Sequence, residues 1–442
     1  MTPRQVAVIG GGFSGTLQAI HLLRLGARVT LIERAPRLGR GVAYSTPHPD
    51  HLLNVRASGM SAWPDRPGHF AEWLRREGRG DGDSFAERRL YGRYLEELLA
   101  AAAAEAGDRL RRLAGQAVSV VRRGEGETVG LEGGASIEAD AAILAIGNLA
   151  PGVPRAMGSL PPAVYQGDPW ASDVAAGLGS GDTVLLIGTG LTAVDAALML
   201  DAAGFGGRIV AMSRRGLVPR AHAAPAAVEG LSAAPPARCG ALLRAVRGQA
   251  GELGWRAAVD RLRPVTQALW ASASTAERRR FLRHLRPWWD VHRHRIAPEI
   301  AARIEAMQAA GRLRVHAGKI VAAAADGAQA AVTWRRRGSA ATETLRVARI
   351  VNCTGPQGDV ARAGEPLLDE LAGLGRIRPD SCRIGIDVDA ECRVLDAAGT
   401  ASDTLFAVGP ITRGAFWEIV AVPDIRGQVA ALAQRLARPG LL

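Results

Sequence analysis

The stretch Val6-Ala7-Val8-Ile9-Gly10-Gly11-Gly12-Phe13-Ser14-Gly15 decides the fold of this chain. Four apolar residues predict a buried parallel strand, and the pattern over residues 16–25 predicts a helix. Gly10, Gly12 and Gly15 have the spacing GxGxxG. In that spacing the first glycine permits a tight turn, the second lets a pyrophosphate approach the backbone, and the third lets helix and strand pack closely. The diphosphate of a dinucleotide would bind the free N–H groups at the helix start.

A second strand completes this first nucleotide-binding unit. Residues 28–32 predict a strand that ends at Glu33, which lies 18 residues after Gly15. A carboxylate at this position accepts hydrogen bonds from a ribose 2′-hydroxyl. A glycine turn that binds nothing is the alternative, but strand, glycines, helix, strand and terminal acid in register favour a dinucleotide site.

A second unit of the same kind begins after Asp182. The strand Thr183–Ile187 leads into Gly188-Thr189-Gly190-Leu191-Thr192-Ala193, a GxGxxA turn in which alanine takes the helix-packing position. The next strand, residues 208–212, ends in Ser213-Arg214-Arg215 instead of an acid. A hydroxyl and two guanidinium groups suit the 2′-phosphate of NADPH, whereas a carboxylate would favour NADH. Two solvated arginines are the alternative.

Each unit is followed by a predicted β-meander and by an apolar strand that ends in glycine, at Gly147 and at Gly355. This duplication is the clearest internal repeat in the chain. The sequence therefore predicts an α/β protein with two Rossmann-like dinucleotide-binding domains and a helical insert. Residues 1–165 and 357–442 form the first domain, and residues 166–356 form the second, with the insert at about 223–310.

The predicted insert differs in composition from the rest of the chain, because it is rich in Ala, Arg and Leu and contains several tryptophans. Arginines that face an acidic substrate, with tryptophans packed behind them, would make the insert a cap over the active site. An insert for packing or oligomerisation is the alternative. His292 and His294 would not share one helix face, which argues against a metal site.

Two irregular segments hold the candidate catalytic residues. The loop at residues 37–67 is long for a compact domain, which is typical of functional loops. Asn54 of this loop and Trp417 and Glu418 near the C-terminus are the candidates, and no general base can be named. A well-packed loop whose polar groups satisfy its own backbone is the alternative for the first segment.

Composition and charge restrict the class of protein. The formal net charge is +12, but Lys319 is the only lysine and the arginines are spread along the chain, which argues against a nucleic-acid surface. The four cysteines form no CxxC pair, so a redox disulfide and a cysteine-rich metal site are disfavoured. The most apolar stretch, residues 183–200, is interrupted by glycines and Asp195. We expect a cytoplasmic protein without a membrane span.

The two units and the closing strand-glycine-helix resemble the two-dinucleotide-binding flavoproteins, in which the first unit holds FAD and the second holds NAD(P)H. More narrowly, RGVAYSTPHPDHLLNV (residues 40–55) and FWEIVAVPDIR (residues 416–426) resemble a bacterial family of FAD/NAD(P)-binding proteins. That family is related to the N-hydroxylating and class B flavin monooxygenases. Two positions depart from the pattern: Pro410 replaces the usual aspartate, and Ala171 replaces the histidine of the FxGxxxH signature.

The resemblance implies that NADPH reduces FAD, that O2 is captured as a hydroperoxyflavin, and that one oxygen atom is transferred to a soft nucleophile. The expected substrate is a small amine or thiol, acidic or amino-acid-like, held in a dry pocket. A flavin reductase that serves a quinone or protein acceptor and a non-enzymatic FAD redox sensor are the alternatives. Whether the protein is a homo-oligomer stays open. The candidate cofactor-binding residues are Gly10, Gly12, Phe13, Ser14, Gly15, Glu33, Arg34, Arg40, Gly147, Gly188, Gly190, Leu191, Thr192, Ser213, Arg214, Arg215, Gly409 and Ile425.

Overall fold

The computed structural model describes residues 4–171, 173–224, 229–231 and 234–437. The strands are β1 (Gln5–Ile9), β2 (Arg28–Glu33), β3 (Leu110–Ala114), β4 (Ala117–Arg123), β5 (Gly126–Leu131), β6 (Ser136–Ala139), β7 (Ala141–Leu144), β8 (Tyr165–Gln166), β9 (Thr183–Ile187), β10 (Arg208–Ser213), β11 (Leu313–Asp326), β12 (Gln329–Arg336), β13 (Thr342–Val347), β14 (Arg349–Asn352), β15 (Arg393–Leu395) and β16 (Ala401–Ala407). The helices are α1 (Phe13–Arg24), α2 (Gly41–Tyr44), α3 (His69–Arg76), α4 (Arg88–Ala106), α5 (Leu191–Ala202), α6 (Cys239–Asp260), α7 (Thr266–Ser272), α8 (Thr275–His284), α9 (Arg286–Arg293), α10 (Pro298–Ala309), α11 (Pro366–Gly373) and α12 (Val422–Leu436).

The first domain is built on a six-stranded sheet in the order β15-β16-β7-β1-β2-β3. Its strands pair in parallel except for the β15–β16 pair. Helices α1, α4 and α12 cover one face, and the three-stranded meander β4-β5-β6 and α11 cover the other. Both faces of β1 and β7 are therefore buried, as the unbroken apolar runs predict.

The second domain has a seven-stranded sheet in the order β13-β12-β11-β10-β9-β14-β8. The long strand β11 pairs in parallel with β10 over its first residues and then antiparallel with β12. The second predicted meander is thus continuous with the nucleotide-binding sheet, whereas the first meander forms a sheet of its own. Within the described ranges, no helix combines the length and apolar character needed to cross a bilayer.

The duplication predicted from the sequence is visible in atomic detail at the two glycine turns. Gly10 has a φ of +105°, and a Cβ there would lie 2.4 Å from the carbonyl oxygen of Ala145, at the end of β7. Gly188 has a φ of +128°, and its Cβ would lie 2.3 Å from the carbonyl oxygen of Cys353, just after β14. Both turns require glycine for the same two reasons, the left-handed backbone and the crossing chain. The two Rossmann-like domains are confirmed.

The boundary between the domains lies earlier than the sequence predicted. Tyr165 and Gln166 form β8, an edge strand of the second sheet, and the preceding residues Met157, Leu160 and Val164 pack in the core of that domain. The polypeptide therefore enters the second domain before residue 165. A short β-pair is hard to assign from sequence because two residues carry no alternation pattern.

The helical insert also ends earlier than about 310. Helix α10 packs through Ile300, Ile304 and Met307 into the core that holds α5, so it is a covering helix of the second domain's own sheet. The insert proper consists of α6 to α9. Residues 225–228 and 232–233, at its predicted start, lie outside the described residues.

Candidate active site

The first glycine turn is shaped to receive a dinucleotide. Helix α1 follows Gly12 with no side-chain cap and no acidic residue in its first turn. An uncapped helix start leaves N–H groups available for an anion. The carboxylate of Glu33 lies directly beside the turn, because it accepts hydrogen bonds from the N–H groups of Gly11 (2.6 Å) and Ala35 (2.7 Å).

A groove of about 90 Å³ runs along this turn. Gly10, Glu33 and Arg34 line it, together with Glu365, which immediately precedes α11. Arg34 forms an ion pair with Glu365 at 3.0 Å across the groove's exposed side. The predicted residues Glu33 and Arg34 therefore both line this groove, at the end of β2.

Arg40 is placed differently from the prediction. Its Nε and Nη2 atoms donate to the two carboxylate oxygens of Glu96 on α4, both at 2.7 Å. This bidentate pair uses the guanidinium fork that a phosphate would need. The partner was not foreseeable, because Glu96 is 56 residues further along the chain and on a helix.

The C-terminal segment closes on the first glycine turn. Gly409, which follows β16, has a φ of +77°, and a Cβ there would lie 2.3 Å from Oγ of Ser14. Ile425 near the start of α12 is buried in the same core as Phe13. Gly147, predicted beside the cofactor, has a left-handed φ of +72° and is open, since a Cβ there would touch nothing within 4 Å.

A cavity of about 1110 Å³ lies between the two domains. Its walls come from the second glycine turn, the end of β10, the insert helices α8 and α9, and the segment after Gly409. A Cβ at Gly190 would meet no atom within 4 Å, so the turn opens freely into this space. Helix α5 repeats the features of α1, with no side-chain cap and no acid in its first turn. The predicted residues lining the cavity are Gly188, Gly190, Leu191, Thr192, Ser213, Arg214, Arg215, Trp417 and Glu418.

The cavity is strongly cationic. Eight arginine and lysine side chains line it, against two carboxylates. Arg214 and Arg215 were predicted from the sequence, whereas Lys319 on β11, Arg337 after β12 and Arg155 before β8 were not. Lys319 carried a signal, because a single lysine among so many arginines is a distinctive choice.

Ser213 holds the second nucleotide turn in shape. Its Oγ is 2.8 Å from Oγ1 of Thr189 and accepts a hydrogen bond from the N–H of Gly216 at 3.0 Å. These bonds fix the end of β10 against the glycine turn, so the following Arg214 and Arg215 face the cavity in a defined position.

Glu418 is buried at the point where the insert meets the C-terminal segment. It has a left-handed φ of +69°, which is rare for a residue with a side chain. Its carboxylate accepts from Nε1 of Trp289 (2.8 Å) and pairs with Arg293 (3.2 Å) and His294 (3.6 Å). Burial alone would raise the pKa of Glu418, but His294 and Trp289 outweigh it and lower that pKa.

The same ion pair shifts the pKa of His294 in the opposite direction, upwards. Burial alone would lower the pKa of His294, but the Glu418 carboxylate outweighs burial and raises it. Among the described residues, no group of three or more His, Cys, Asp or Glu side chains is placed to hold a metal ion. The contact with Glu418 and the raised pKa make His294 an ionic partner of that carboxylate.

Trp417 joins the insert to the C-terminal segment. It stacks on Trp270 with ring centres 4.7 Å apart and meets the edge of Phe281 at 5.3 Å. Nε1 of Trp270 donates to the carbonyl oxygen of Gly414 at 2.8 Å. These contacts hold the insert over the cavity, which is the arrangement expected of a cap.

Asn54 lies apart from the other two candidate catalytic residues. Its backbone carbonyl accepts a hydrogen bond from Nε2 of His222 at 3.0 Å, where the long loop touches the start of the insert. The described residues that line the cavity do not include Asn54. The structure therefore places Trp417 and Glu418 at the cavity but leaves Asn54 at an interdomain contact.

A family model matches the N-terminal third of the chain. Residues 7–149 match the sequence model of a family described as FAD-NAD(P)-binding. No curated protein sequence matches the chain significantly.

Solved structures share the fold over almost the whole chain. Ornithine hydroxylase from Pseudomonas aeruginosa has a TM-score of 0.66 at 15% identity, over 98% of this chain and 100% of the other. L-lysine 6-monooxygenase from Pseudomonas syringae has a TM-score of 0.65 at 18% identity, over 98% and 99%. Bacillithiol disulfide reductase from Bacillus cereus has a TM-score of 0.58 at 16% identity, over 99% of both chains. The chain has the fold of the two-dinucleotide-binding flavoproteins.

Proposed function

We propose that this protein is an NADPH-dependent FAD monooxygenase that oxygenates an amine nitrogen or a sulfur of a small substrate. The observation that carries the proposal is the single cavity joining the second glycine turn, the cap and the segment that closes on the first glycine turn. A dinucleotide bound along α5 would extend towards that segment. The likeness in fold to hydroxylases of ornithine and lysine supports this assignment.

The residues of the chain have separable roles in this proposal. Gly10, Gly12, Gly15 and Glu33 would hold FAD, and Gly188, Gly190, Arg214 and Arg215 would hold NADPH. When bound, FAD supplies the acceptance of hydride and the reaction with O2, and the protein supplies binding and orientation. The insert, which packs on Trp417 and Glu418, would restrict the access of water to the reacting centre. The substrate would be small and acidic or amino-acid-like, because the cavity is cationic.

A flavin reductase is the second candidate function, because disulfide reductases share the fold. The cysteines argue against the disulfide-reducing version. All four are free, and burial raises the pKa of both Cys353 and Cys392 above that of an ordinary thiol. A buried thiol with a raised pKa is a poor nucleophile, so it does not provide a redox pair. Reduction of a quinone stays open to direct test.

The test measures the fate of the electrons from NADPH. FAD-loaded protein is mixed with NADPH, O2 and either L-ornithine, L-lysine, L-cysteine or cysteamine, and NADPH loss, oxygenated product and H2O2 are quantified. We expect one nucleophile to give oxygenated product nearly equal to NADPH consumed. NADPH loss that yields H2O2 with every nucleophile, together with fast reduction of an added quinone, would assign a reductase. Very slow NADPH oxidation under all conditions would assign a redox sensor. We place the reaction in the cytoplasm.

A further inference from the structure

Arg413 is a positive charge in the cavity wall that the described protein residues leave without a partner. It follows the short 3₁₀ helix Gly409–Thr412 and is half-buried. Within the described ranges its guanidinium forms no hydrogen bond, and neighbouring charges act on it only through their electrostatic field. Burial, together with the neighbouring Arg286, lowers the pKa of Arg413 to about 10. Taking an unpaired cation out of water destabilises a protein, so such a group points to a partner that arrives later.

The carboxylates nearest to Arg413 are engaged elsewhere. Asp290 pairs with Arg286 on its own helix at 3.3 Å. Glu418 accepts from Trp289 and pairs with Arg293. The protein therefore does not neutralise Arg413 with its own acids, although two of them are close enough to act on its charge.

This charge is in excess of what the dinucleotide requires. The cations suited to the 2′-phosphate follow β10 or lie on the second meander, namely Arg214, Arg215, Lys319 and Arg337, and the pyrophosphate has the start of α5. Arg413 and Arg286 come instead from the C-terminal segment and the insert. They flank Trp417 and Glu418, at the wall where the substrate would meet the reacting centre.

We propose that Arg413, with Arg286 beside it, binds the carboxylate of the substrate and selects carboxylate-bearing nucleophiles over neutral ones. The planar guanidinium fork of Arg413 matches a carboxylate in two parallel hydrogen bonds. The oxygen-accepting nitrogen or sulfur of the same molecule would then lie at a fixed distance from this fork. The inference deepens the proposed function and rests on it for the identity of the ligand as substrate.

Calorimetric titration of the FAD-loaded protein, saturated with NADP+, tests the site without turnover. The probes are N-acetylglycine and its carboxamide, which differ only in the charged group. We expect N-acetylglycine to bind at least tenfold more tightly than the amide, and Arg413→Met to remove that difference. Arg244→Met is the matched control, because Arg244 is an exposed arginine of the insert on α6 and does not line the cavity; it should change affinity less than twofold.

Stability measurements guard against a folding artefact. Because Arg413 is unpaired, Arg413→Met should unfold at the same or a higher temperature than the unaltered protein. Arg286→Met is the second variant and should weaken N-acetylglycine binding at least fivefold. Equal affinity for acid and amide in the unaltered protein, or unchanged affinity in both variants, would overturn the proposal. A tenfold weaker NADP+ affinity in Arg413→Met would reassign the residue to the nucleotide and would also overturn it.

A turnover comparison separates this inference from the proposed function. In the unaltered protein KM should be at least tenfold lower for L-cysteine than for cysteamine, and the two values should converge in Arg413→Met. If no nucleophile is oxygenated but N-acetylglycine binding still depends on Arg413, the carboxylate site stands and the monooxygenase proposal fails. If oxygenation occurs with no preference for a carboxylate, the monooxygenase proposal stands and the carboxylate site fails.

Discussion

At the scale of single residues, the pair Glu418–His294 links the cap to the C-terminal segment by charge. The carboxylate is almost fully buried, and the imidazole is held against it at 3.6 Å. The lowered pKa of Glu418 stabilises the fold above its unfolded pKa, and that contribution is lost as the pH falls through the folded value. The raised pKa of His294 stabilises the fold below its unfolded pKa, and that contribution is lost as the pH rises through the folded value. Both contributions are complete between about pH 4.5 and 6.5.

We therefore expect His294→Gln to destabilise the protein more at pH 5.5 than at pH 8.5. The loss at pH 5.5 should be roughly 1 to 3 kcal/mol, as for a hydrogen bond to a charged group. Thermal unfolding of the FAD-loaded protein at the two pH values measures the difference. His284→Gln is the control, because His284 is exposed on α8 of the same insert. A loss that is the same at both pH values would show that the ion pair does not form.

The arginines after β10 give a second test at the residue scale. The double change Arg214→Ala and Arg215→Ala should raise KM for NADPH roughly 10- to 100-fold, because two charged contacts to the 2′-phosphate are lost. KM for NADH should change less than twofold. Arg208→Ala serves as control, since Arg208 is exposed at the other end of the same strand. An equal rise for both nucleotides would remove the 2′-phosphate assignment.

At the scale of elements, the two strand-turn-helix units differ in how tightly the second glycine is enclosed. A Cβ at Gly12 would lie 3.4 Å from Cα of Gly41, where α2 packs on the turn. A Cβ at Gly190 would lie in open space that faces the large cavity. The first turn is thus covered by the chain itself, whereas the second stays open to solvent. This difference suits a cofactor that is retained and a nucleotide that exchanges.

The matched changes Gly12→Leu and Gly190→Leu should separate the two sites. Gly12→Leu would force the side chain against α2 and into the path of the FAD diphosphate, so the purified protein should be colourless. Gly190→Leu should leave the protein yellow and raise KM for NADPH at least tenfold, because leucine enters only the cavity. Absorbance at the flavin maximum and NADPH kinetics measure both outcomes. A yellow Gly12→Leu protein would contradict the assignment of FAD to the first turn.

At the scale of the whole molecule, an ion pair fixes the two domains against each other. Arg88 on α4 of the first domain donates to both carboxylate oxygens of Asp195 on α5 of the second, at 2.7 and 3.1 Å. The Asp195 side chain is only 7% exposed. Nε2 of His51 lies 3.2 Å from the carbonyl oxygen of Asp195 and adds a second contact from the long loop. The loop at residues 37–67 thus contributes to the contact between the domains.

Removing one member of this buried pair should destabilise the molecule strongly. Asp195→Asn leaves Arg88 charged and unpaired, which costs roughly 3 to 5 kcal/mol of unfolding free energy. Asp108→Asn breaks the exposed pair with Arg28 and should cost less than about 1 kcal/mol. Urea unfolding followed by circular dichroism measures both. Similar losses in the two variants would show that the interdomain pair contributes no more than a surface contact.

The sequence by itself determined the two nucleotide-binding units, because each depends on neighbours within about 30 residues. Apolar strands, the glycine spacing at Gly10 and Gly188, and the chemistry at Glu33 and Arg214 are local properties, and backbone geometry converts them directly into structure. The apolar strands that end at Gly147 and Gly355 were recognised from the same repeat. These parts were predictable before any contact between distant residues was known.

Only the tertiary structure decided which charged side chains, far apart in the sequence, pair with each other. Arg40 was predicted from the sequence to bind the cofactor, but it is paired with Glu96. Arg413, Lys319 and Arg337 belong to no sequence motif, yet the fold brings them to one cavity. A motif records spacing along the chain, but an ion pair depends on which side chains the packed layers place within a few ångströms of each other. With cations so numerous in the sequence, only the folded chain separates those neutralised by its own acids from those left for a ligand.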